Sequence, residues 1–500
     1  MKRLCRSLVL VSVALGCVIQ SLADSNPNVL VLLADDLGFG DVRILNADSR
    51  IPTPNLDQLA AEGMTFLDAH SPSGVCTPTR YGLLTGRYCW RSRLKRGVLG
   101  GYSPPLLETG QTTIASMLQE HGYRTGAVGK WHLGMELPVL SDSVSRTEWS
   151  GDPGIDFGGV ITDSPIHHGF DSYFGVSASL DMAPYVYIRN DRFTKRPTLQ
   201  QKAMTFPHFV RQGPRADDFV IDEVLDRLTE EAVTFIHQAS EATKPFFLYV
   251  PLTGPHKPAL PHERFRGTTP LGEYGDFVAQ VDWTIGKILE GLSDAKLANE
   301  TLVIFTSDNG SYMHRYDKPE MKDHVDDMSI QGFREERHRA NGPFRGTKAD
   351  IWEAGHHVPF FARWPGQIAA GTQCHTTVCL TDLFATFAEI VGASIGDGEA
   401  EDSFSLLSLL WGDSSERGAP VIHHSSAGMF AIREGKWKLI LGNGSGGRQA
   451  PRGKAFQRPY QLFDMGSDVA ESRDLAGRFP EIVERLTARL EAIRTSSRAY

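Results

Sequence analysis

Six cysteines in 500 residues are too few for a disulfide framework, and two of them, Cys5 and Cys17, fall in an apolar leader. Of the other four, Cys374 and Cys379 are close in sequence. Positions five apart on an extended strand face opposite sides, which disfavours a local bridge between them. Beyond the leader, no apolar run is long enough to span a bilayer. Positive charge is not in excess either. A net charge of −9 excludes the basic surface that nucleic acid selects, so an anionic ligand must be held by local Lys, Arg or metal ions. The leader has Lys2 and Arg3, an apolar run over 8–19, and Ser21-Leu22-Ala23, the pattern of an export signal cleaved after Ala23. It predicts a secreted or periplasmic protein. The branched residue of a lipoprotein box is out of place before Cys17, which disfavours lipid anchoring there.

The length suits one large catalytic domain with a smaller companion. Residues 28–34 form a continuous apolar run of the kind that fills a strand buried on both faces, and it ends in Asp35-Asp36. Three later runs repeat the arrangement: 123–128 leads to Lys130 and His132, 246–252 to His256, and 302–306 to Asp308-Asn309. Amphipathic helical stretches at 54–62 and 222–237 lie between them. Strand alternating with helix predicts an α/β fold with a doubly wound, mainly parallel sheet, whose ligands bind beyond the carboxyl ends of its strands. After a helical segment at 381–392, short strands at 421–424, 429–433 and 437–441 and a helix over 480–494 predict a small antiparallel α+β subdomain. The expected boundaries are 1–23 for the signal, 24–415 for the catalytic domain and 416–500 for the subdomain. The stretch 443–458, rich in Gly, Arg and Lys, is expected to be a loop near the cleft.

The most informative stretch is Gly74-Val75-Cys76-Thr77-Pro78-Thr79-Arg80, continuing to Thr85-Gly86-Arg87. Pro78 is tolerated in the first turn of a helix, Thr77 or Cys76 can cap that helix, and Gly86 can stop it. A reactive side chain at such an N-terminus faces free N–H groups and the positive end of the helix dipole, where anions bind. This run resembles the signature C-x-P-[ST]-R of the formylglycine-dependent (type I) sulfatases, in which the cysteine is oxidised to Cα-formylglycine. Asp35-Asp36, Gly129-Lys130-Trp131-His132-Leu133-Gly134 and Ser307-Asp308-Asn309-Gly310 resemble further motifs of that family, and the likeness runs from 28 to about 475.

The resemblance implies an alkaline-phosphatase-like fold and hydrolysis of a sulfate ester. It implies one Ca²⁺ held by Asp35, Asp36, Asp308 and Asn309, with the modified Cys76 as a further ligand. Three carboxylates and an amide are hard oxygen donors suited to such an ion. Arg80 is then expected to orient the nucleophile, Lys130 and Lys348 to bind sulfate oxygens, and His132 and His256 to carry protons. Lys348 lies in a segment similar to the family's G-x-K-x-x-x-x-E-G-G, with Ala354 in place of the first terminal Gly. In the implied mechanism one hydroxyl of the hydrated aldehyde attacks sulfur, with help from Asp308. His256 and Lys348 offset charge on the leaving alcohol, and His132 deprotonates the second hydroxyl. A formylglycine-generating enzyme is the implied maturation partner. Two alternatives stay open: a phosphate or phosphonate ester hydrolase of the same superfamily, which Asn309 disfavours, and an unmodified carbohydrate-binding pseudoenzyme. Residues 167–175 with Asp181 and Tyr185 resemble members acting on sulfated sugars and aryl sulfates, so a sulfated oligosaccharide is the expected substrate. The insertions 139–163 and 312–341 are expected to shape the pocket.

Overall fold

A computed structural model describes residues 26–141, 153–205, 208–313, 338–414 and 416–496. The expected export signal, the centre of the 139–163 insertion and most of 312–341 lie outside the described residues.

Ten strands form the main sheet. In chain order they are β1 (Asn28–Asp35), β2 (Met64–Phe66), β3 (Arg124–Lys130), β4 (Ser172–Val176), β5 (Ile188–Arg189), β6 (Arg192–Phe193), β7 (Phe246–Pro255), β8 (Thr301–Ser307), β9 (Phe360–Arg363) and β10 (Thr372–Cys374). Their spatial order is β10-β2-β9-β8-β1-β7-β3-β4-β5-β6. The central strands β8, β1, β7, β3 and β4 run parallel, while β9, β5 and β6 pair antiparallel toward the edges. Every residue of β1, β7 and β8 is buried, as their unbroken apolar runs require of strands covered on both faces.

The cover comes from two helix layers. Helices α1 (Pro54–Ala61), α4 (Val224–Ser240) and α5 (Gly272–Asp294) pack together on one face. On the other, α2 (Cys76–Thr85), α3 (Ile114–Glu120) and α6 (Leu383–Val391) form a second group. This is the doubly wound arrangement that the alternating pattern predicts. Helix α5 does not stand out in the sequence because Gly275, Gly286 and Gly291 and the buried Asp276, Gln280 and Asp282 interrupt its apolar stripe. Asp282 accepts from the backbone and side chain of Asn55, so these polar groups tie α5 to α1.

Helix α2 is buried along its whole length and stops at Gly86, whose φ of 65° is the left-handed cap that glycine adopts freely. Its start corrects the sequence reading. Val75 occupies the N-cap with no side-chain bond, and Cys76 is the first helical residue. Thr77 lies inside the first turn and its hydroxyl donates instead to the His132 carbonyl at 3.0 Å.

Beyond the main sheet, β11 (Val421–His424), β12 (Phe430–Glu434), β13 (Trp437–Ile440) and β14 (Gln461–Asp464) form an antiparallel sheet that α7 (Pro480–Thr495) covers. Strand β14 is absent from the sequence reading because only Leu462 and Phe463 of its four residues are buried. Tyr88 and Trp90 share an apolar cluster with Val421, Ile432 and Leu486, which fastens the small sheet to the catalytic part. Buried polar contacts add to the seam. Lys438 donates to Glu353 at 2.8 Å and to His356 Nε2 at 3.0 Å and is ion-paired with Glu471 at 2.8 Å, and Arg417 pairs with Asp382 at 2.7 Å. Cys76, Cys89, Cys374 and Cys379 are all free thiols.

Candidate active site

Strands β8, β1, β7 and β3 are consecutive neighbours, so their carboxyl ends bring four sequence-distant motifs to one place. Asp35 ends β1, Lys130 ends β3, His256 follows β7, and Asp308 follows β8 with its N–H bonded to the Ala34 carbonyl at 3.0 Å. Asp36 and His132 turn sharply off their strands with φ of 66° and 58°. Left-handed backbone costs a non-glycine residue about 1–3 kcal/mol, a strain typical of positions held for function.

The charged groups interlock. Lys130 Nζ is 2.6 Å from Asp35 Oδ2, and Lys348 Nζ is 2.5 Å from Asp36 Oδ1 and 3.3 Å from Cys76 Sγ. Arg80, one turn along α2 from Cys76, donates to Asp308 Oδ2 from Nε at 3.0 Å and Nη2 at 2.8 Å, and to the Lys130 carbonyl at 2.9 Å. The Asn309 amide donates to Asp36 Oδ1 at 2.7 Å. All of these side chains are buried.

Such crowding shifts protonation. Burial raises Asp35 to about 7; Lys130 opposes this, and the Asp308 charge adds to it. Burial works against ionised Asp308 too, but the Arg80, Lys130 and Lys348 charges outweigh it and hold that carboxyl below its ordinary range. Burial pushes the Cys76 thiol up to about 12 despite Lys130 and Lys348, so the unmodified thiol is no thiolate nucleophile at neutral pH.

The donor set fits a hard divalent cation. Asp35 Oδ1 and Asn309 Oδ1 are buried without hydrogen-bond partners among the described residues, an arrangement that costs free energy unless something binds them. Carboxylate oxygens of Asp35 and Asp36, Cys76 Sγ and a His256 nitrogen all lie within 4.8 Å of one another. Oxygen donors of this kind favour Ca²⁺ or Mg²⁺ over softer metals.

Both histidines have assigned hydrogen-bond polarity. His132 Nε2 is 2.8 Å from the Leu99 carbonyl and must donate to it, which leaves Nδ1, buried and unpartnered, with a lone pair. Burial with the Lys130 and Arg80 charges holds His132 well below the ordinary histidine range, hence neutral. His256 Nδ1 donates to the Lys257 carbonyl at 2.5 Å, and its Nε2 faces Asp36 Oδ2 at 3.6 Å. Burial, then Lys348 and Lys130, lower it as well.

A cavity of about 210 Å³ opens onto Cys76, His132, His256 and Lys348. Asp35, Asp36, Arg80, Lys130, Asp308 and Asn309 do not line it. Lys130, expected to bind sulfate oxygens, is instead turned onto Asp35. Asp181 is on the cavity wall, paired with Arg211 at 2.5 Å, and its Oδ1 is buried without a hydrogen-bond partner among the described residues. Tyr185 is not on the wall. It lies behind Arg211, donating to that residue's carbonyl at 2.6 Å, so its contribution is to hold Arg211 in place. Arg211, Lys257 and Arg448 also face the cavity, and the sequence reading names none of them. Arg211 carries no motif, whereas Arg448 falls in the basic loop expected near the cleft.

The family model described as Sulfatase matches residues 27–393. Over 510 residues the chain is 31% identical to N-acetylgalactosamine-6-O-sulfatase of Bacteroides thetaiotaomicron, covering 94% of this chain and 93% of that protein. It is 30% identical over 474 residues to human steryl-sulfatase, covering 83% and 75%. A solved structure described under the metabolism of multiple glycosaminoglycans by Bacteroides thetaiotaomicron matches with a TM-score of 0.80 at 30% identity, over 94% of this chain and 100% of that one.

Proposed function

We propose that this chain, which belongs to the sulfatase family and hydrolyses sulfate esters, acts on a sulfated carbohydrate through a formylglycine made from Cys76 and one Ca²⁺ held by Asp35, Asp36, Asp308 and Asn309. The observation that carries this reading is the meeting of Cys76, first residue of a buried helix, with an oxygen-rich donor set that has unpartnered atoms. Cys76 Sγ stands in for the formylglycine oxygens. When present, the two groups supply a hydrated aldehyde as nucleophile and a divalent charge beside it.

The chain's own residues do the remaining work. Arg80 holds Asp308 from beneath the nucleophile, and Lys348 offers its ammonium to sulfate oxygens at the cavity. The free lone pair of His132 Nδ1 suits a proton acceptor. His256 gains a proton more readily once a bound sulfate ester offsets the Lys348 and Lys130 charges that now disfavour it, which prepares it to donate to the leaving alcohol. Asp181 Oδ1 is available to a sugar hydroxyl. A hexosamine 6-sulfate is the first substrate to try, given the relatives' names.

Expression with and without a formylglycine-generating enzyme tests this. Peptide mass spectrometry reads the loss of mass at residue 76, and released sulfate is measured with and without a chelator. Equal sulfate release by modified and unmodified protein would sink the formylglycine reading, and indifference to the chelator would sink the cation.

A further inference from the structure

The cavity wall includes a cation that has no partner among the described residues. Arg448 lies in the loop between β13 and β14 and reaches the catalytic cavity from the small subdomain. Among the described residues no acceptor pairs with its guanidinium, whereas Arg211 in the same cavity is bound to Asp181. Its charge bears on Lys348, the residue already placed beside Cys76. Two cations facing one small cavity repel each other, and that cost is relieved when anionic groups occupy both.

The loop holds Arg448 there by construction. Its N–H and that of Gln449 both donate to Asp350 Oδ1, at 2.5 and 3.1 Å, while Asp350 Oδ2 accepts from Thr347 N at 3.0 Å. One carboxylate thus clamps the Lys348 segment to the basic loop. Ile351 N donates to the Ser445 carbonyl at 2.7 Å, and Ser425 Oγ to the Gly446 carbonyl at 2.6 Å. At Gly447 a Cβ would come within 2.3 Å of the Ala349 carbonyl oxygen, so only glycine permits this approach. Arg448 is therefore carried on backbone fixed against the active site, and Arg452 follows it on the exposed side of the loop.

We propose that Arg448 binds a second anionic group of the substrate, separate from the sulfate being cleaved, so that the preferred substrate is a glycan carrying at least two negative charges. The inference rests on the sulfatase reading of the cavity. A planar guanidinium whose N–H groups have no acceptor among the described residues can donate in bidentate fashion to a carboxylate or a sulfate, since each presents a pair of anionic oxygens although one is planar and the other tetrahedral. The source is either a uronate carboxylate on a neighbouring sugar or a further sulfate.

The test uses full-length, formylglycine-containing enzyme and three substrates: a hexosamine 6-sulfate, the same sugar linked to a uronic acid, and a disulfated hexosamine. Arg448→Gln is expected to lose roughly 10–100-fold more in kcat/KM on one doubly anionic substrate than on the singly charged sugar, mostly through KM. Whichever substrate shows the loss names the source. Arg448→Lys should recover part of the loss, because it restores charge without the fork. Unfolding midpoints of both variants, measured alongside, separate a folding defect from a binding one. Equal losses on all three substrates would mean that Arg448 acts through Lys348, and would overturn the proposal. So would no loss on any. If the wild-type enzyme released no sulfate from any substrate, the sulfatase reading itself would fall first.

Discussion

Lys348→Met separates what Lys348 holds together at the site from what a cation would hold. Lys348 is buried, with its ammonium against Asp36 and Cys76, and among the described residues the other side-chain donors beside the Asp36 carboxylate are the Asn309 amide and, at 3.6 Å, His256. Methionine fills similar volume, so the main effect is a buried carboxylate deprived of its cation. Removing one partner of a buried pair costs about 3–5 kcal/mol. A divalent ion on Asp36 would replace the missing charge. In chelator the variant should therefore lose about 3–5 kcal/mol in urea unfolding, and in excess Ca²⁺ less than about half of that. By linkage, a difference of about 2 kcal/mol corresponds to Ca²⁺ binding roughly 30-fold more tightly in the variant, since Lys348 no longer competes for Asp36. Calorimetric titration with Ca²⁺ reads this directly and needs no turnover. Equal destabilisation with and without Ca²⁺, or unchanged affinity, would refute the assignment of Asp36 as a ligand.

His256→Ala should slow esters of poor leaving groups such as sugar alcohols by at least tenfold more than activated aryl sulfates, because only the former need a proton on the departing oxygen; equal losses would remove the acid role. Cys76→Ser should fold and bind Ca²⁺ yet stall after one sulfate transfer, since serine has no second hydroxyl to expel the group. Intact-mass analysis would look for one added sulfate, and sustained turnover would contradict the formylglycine mechanism. Acid should destabilise the fold through His424, which burial, with the Arg494 and Lys95 charges adding, holds at about 4 and whose ring nitrogens have no hydrogen-bond partners among the described residues. Its folded value lies below its ordinary one, so the stability it contributes is full above about pH 6.5 and falls by roughly 3 kcal/mol as pH drops through 4. His424→Leu should show a shallower loss between pH 7 and 4 in denaturant unfolding, and an unchanged slope would count against it.

Most parts of the site legible in the sequence share one property: they are carried on a buried strand end or on the helix that faces those ends, while Lys348 and Asp181, carried on loops, are legible only through the family resemblance. An unbroken apolar run such as 28–34 announces a central strand, and in a parallel sheet the polar residues just after it must lie at the same edge as those of its neighbours. Asp35, Lys130, His256 and Asp308 needed no long-range information beyond that rule. What the residues then do with one another did need it. That Lys130 is turned onto Asp35 rather than into the cavity depends on the order β1-β7-β3, which no local pattern encodes.

Residues delivered by loops are harder to place for the same reason: composition puts the loop of Arg448 near the cleft but does not single out the residue. Arg211 is held at the cavity with its carbonyl accepting from Tyr185 and its guanidinium paired with Asp181, contacts that join segments 26 and 30 residues apart and leave no periodicity behind. Arg448 comes from farther still, across a seam between two sheets that Lys438, Arg417 and the Tyr88–Trp90 cluster close. Loosening that seam should therefore alter substrate selection before it alters the chemistry at residue 76. Asp350 is the side chain that ties the Lys348 segment to the N–H groups of Arg448 and Gln449, beside the backbone bond from Ile351 to Ser445. Asp350→Ala should therefore loosen Arg448 while leaving the strand ends that carry Asp35, Asp36 and Asp308 in place, and kcat/KM should fall more on doubly than on singly anionic substrates; equal losses on both would count against this coupling.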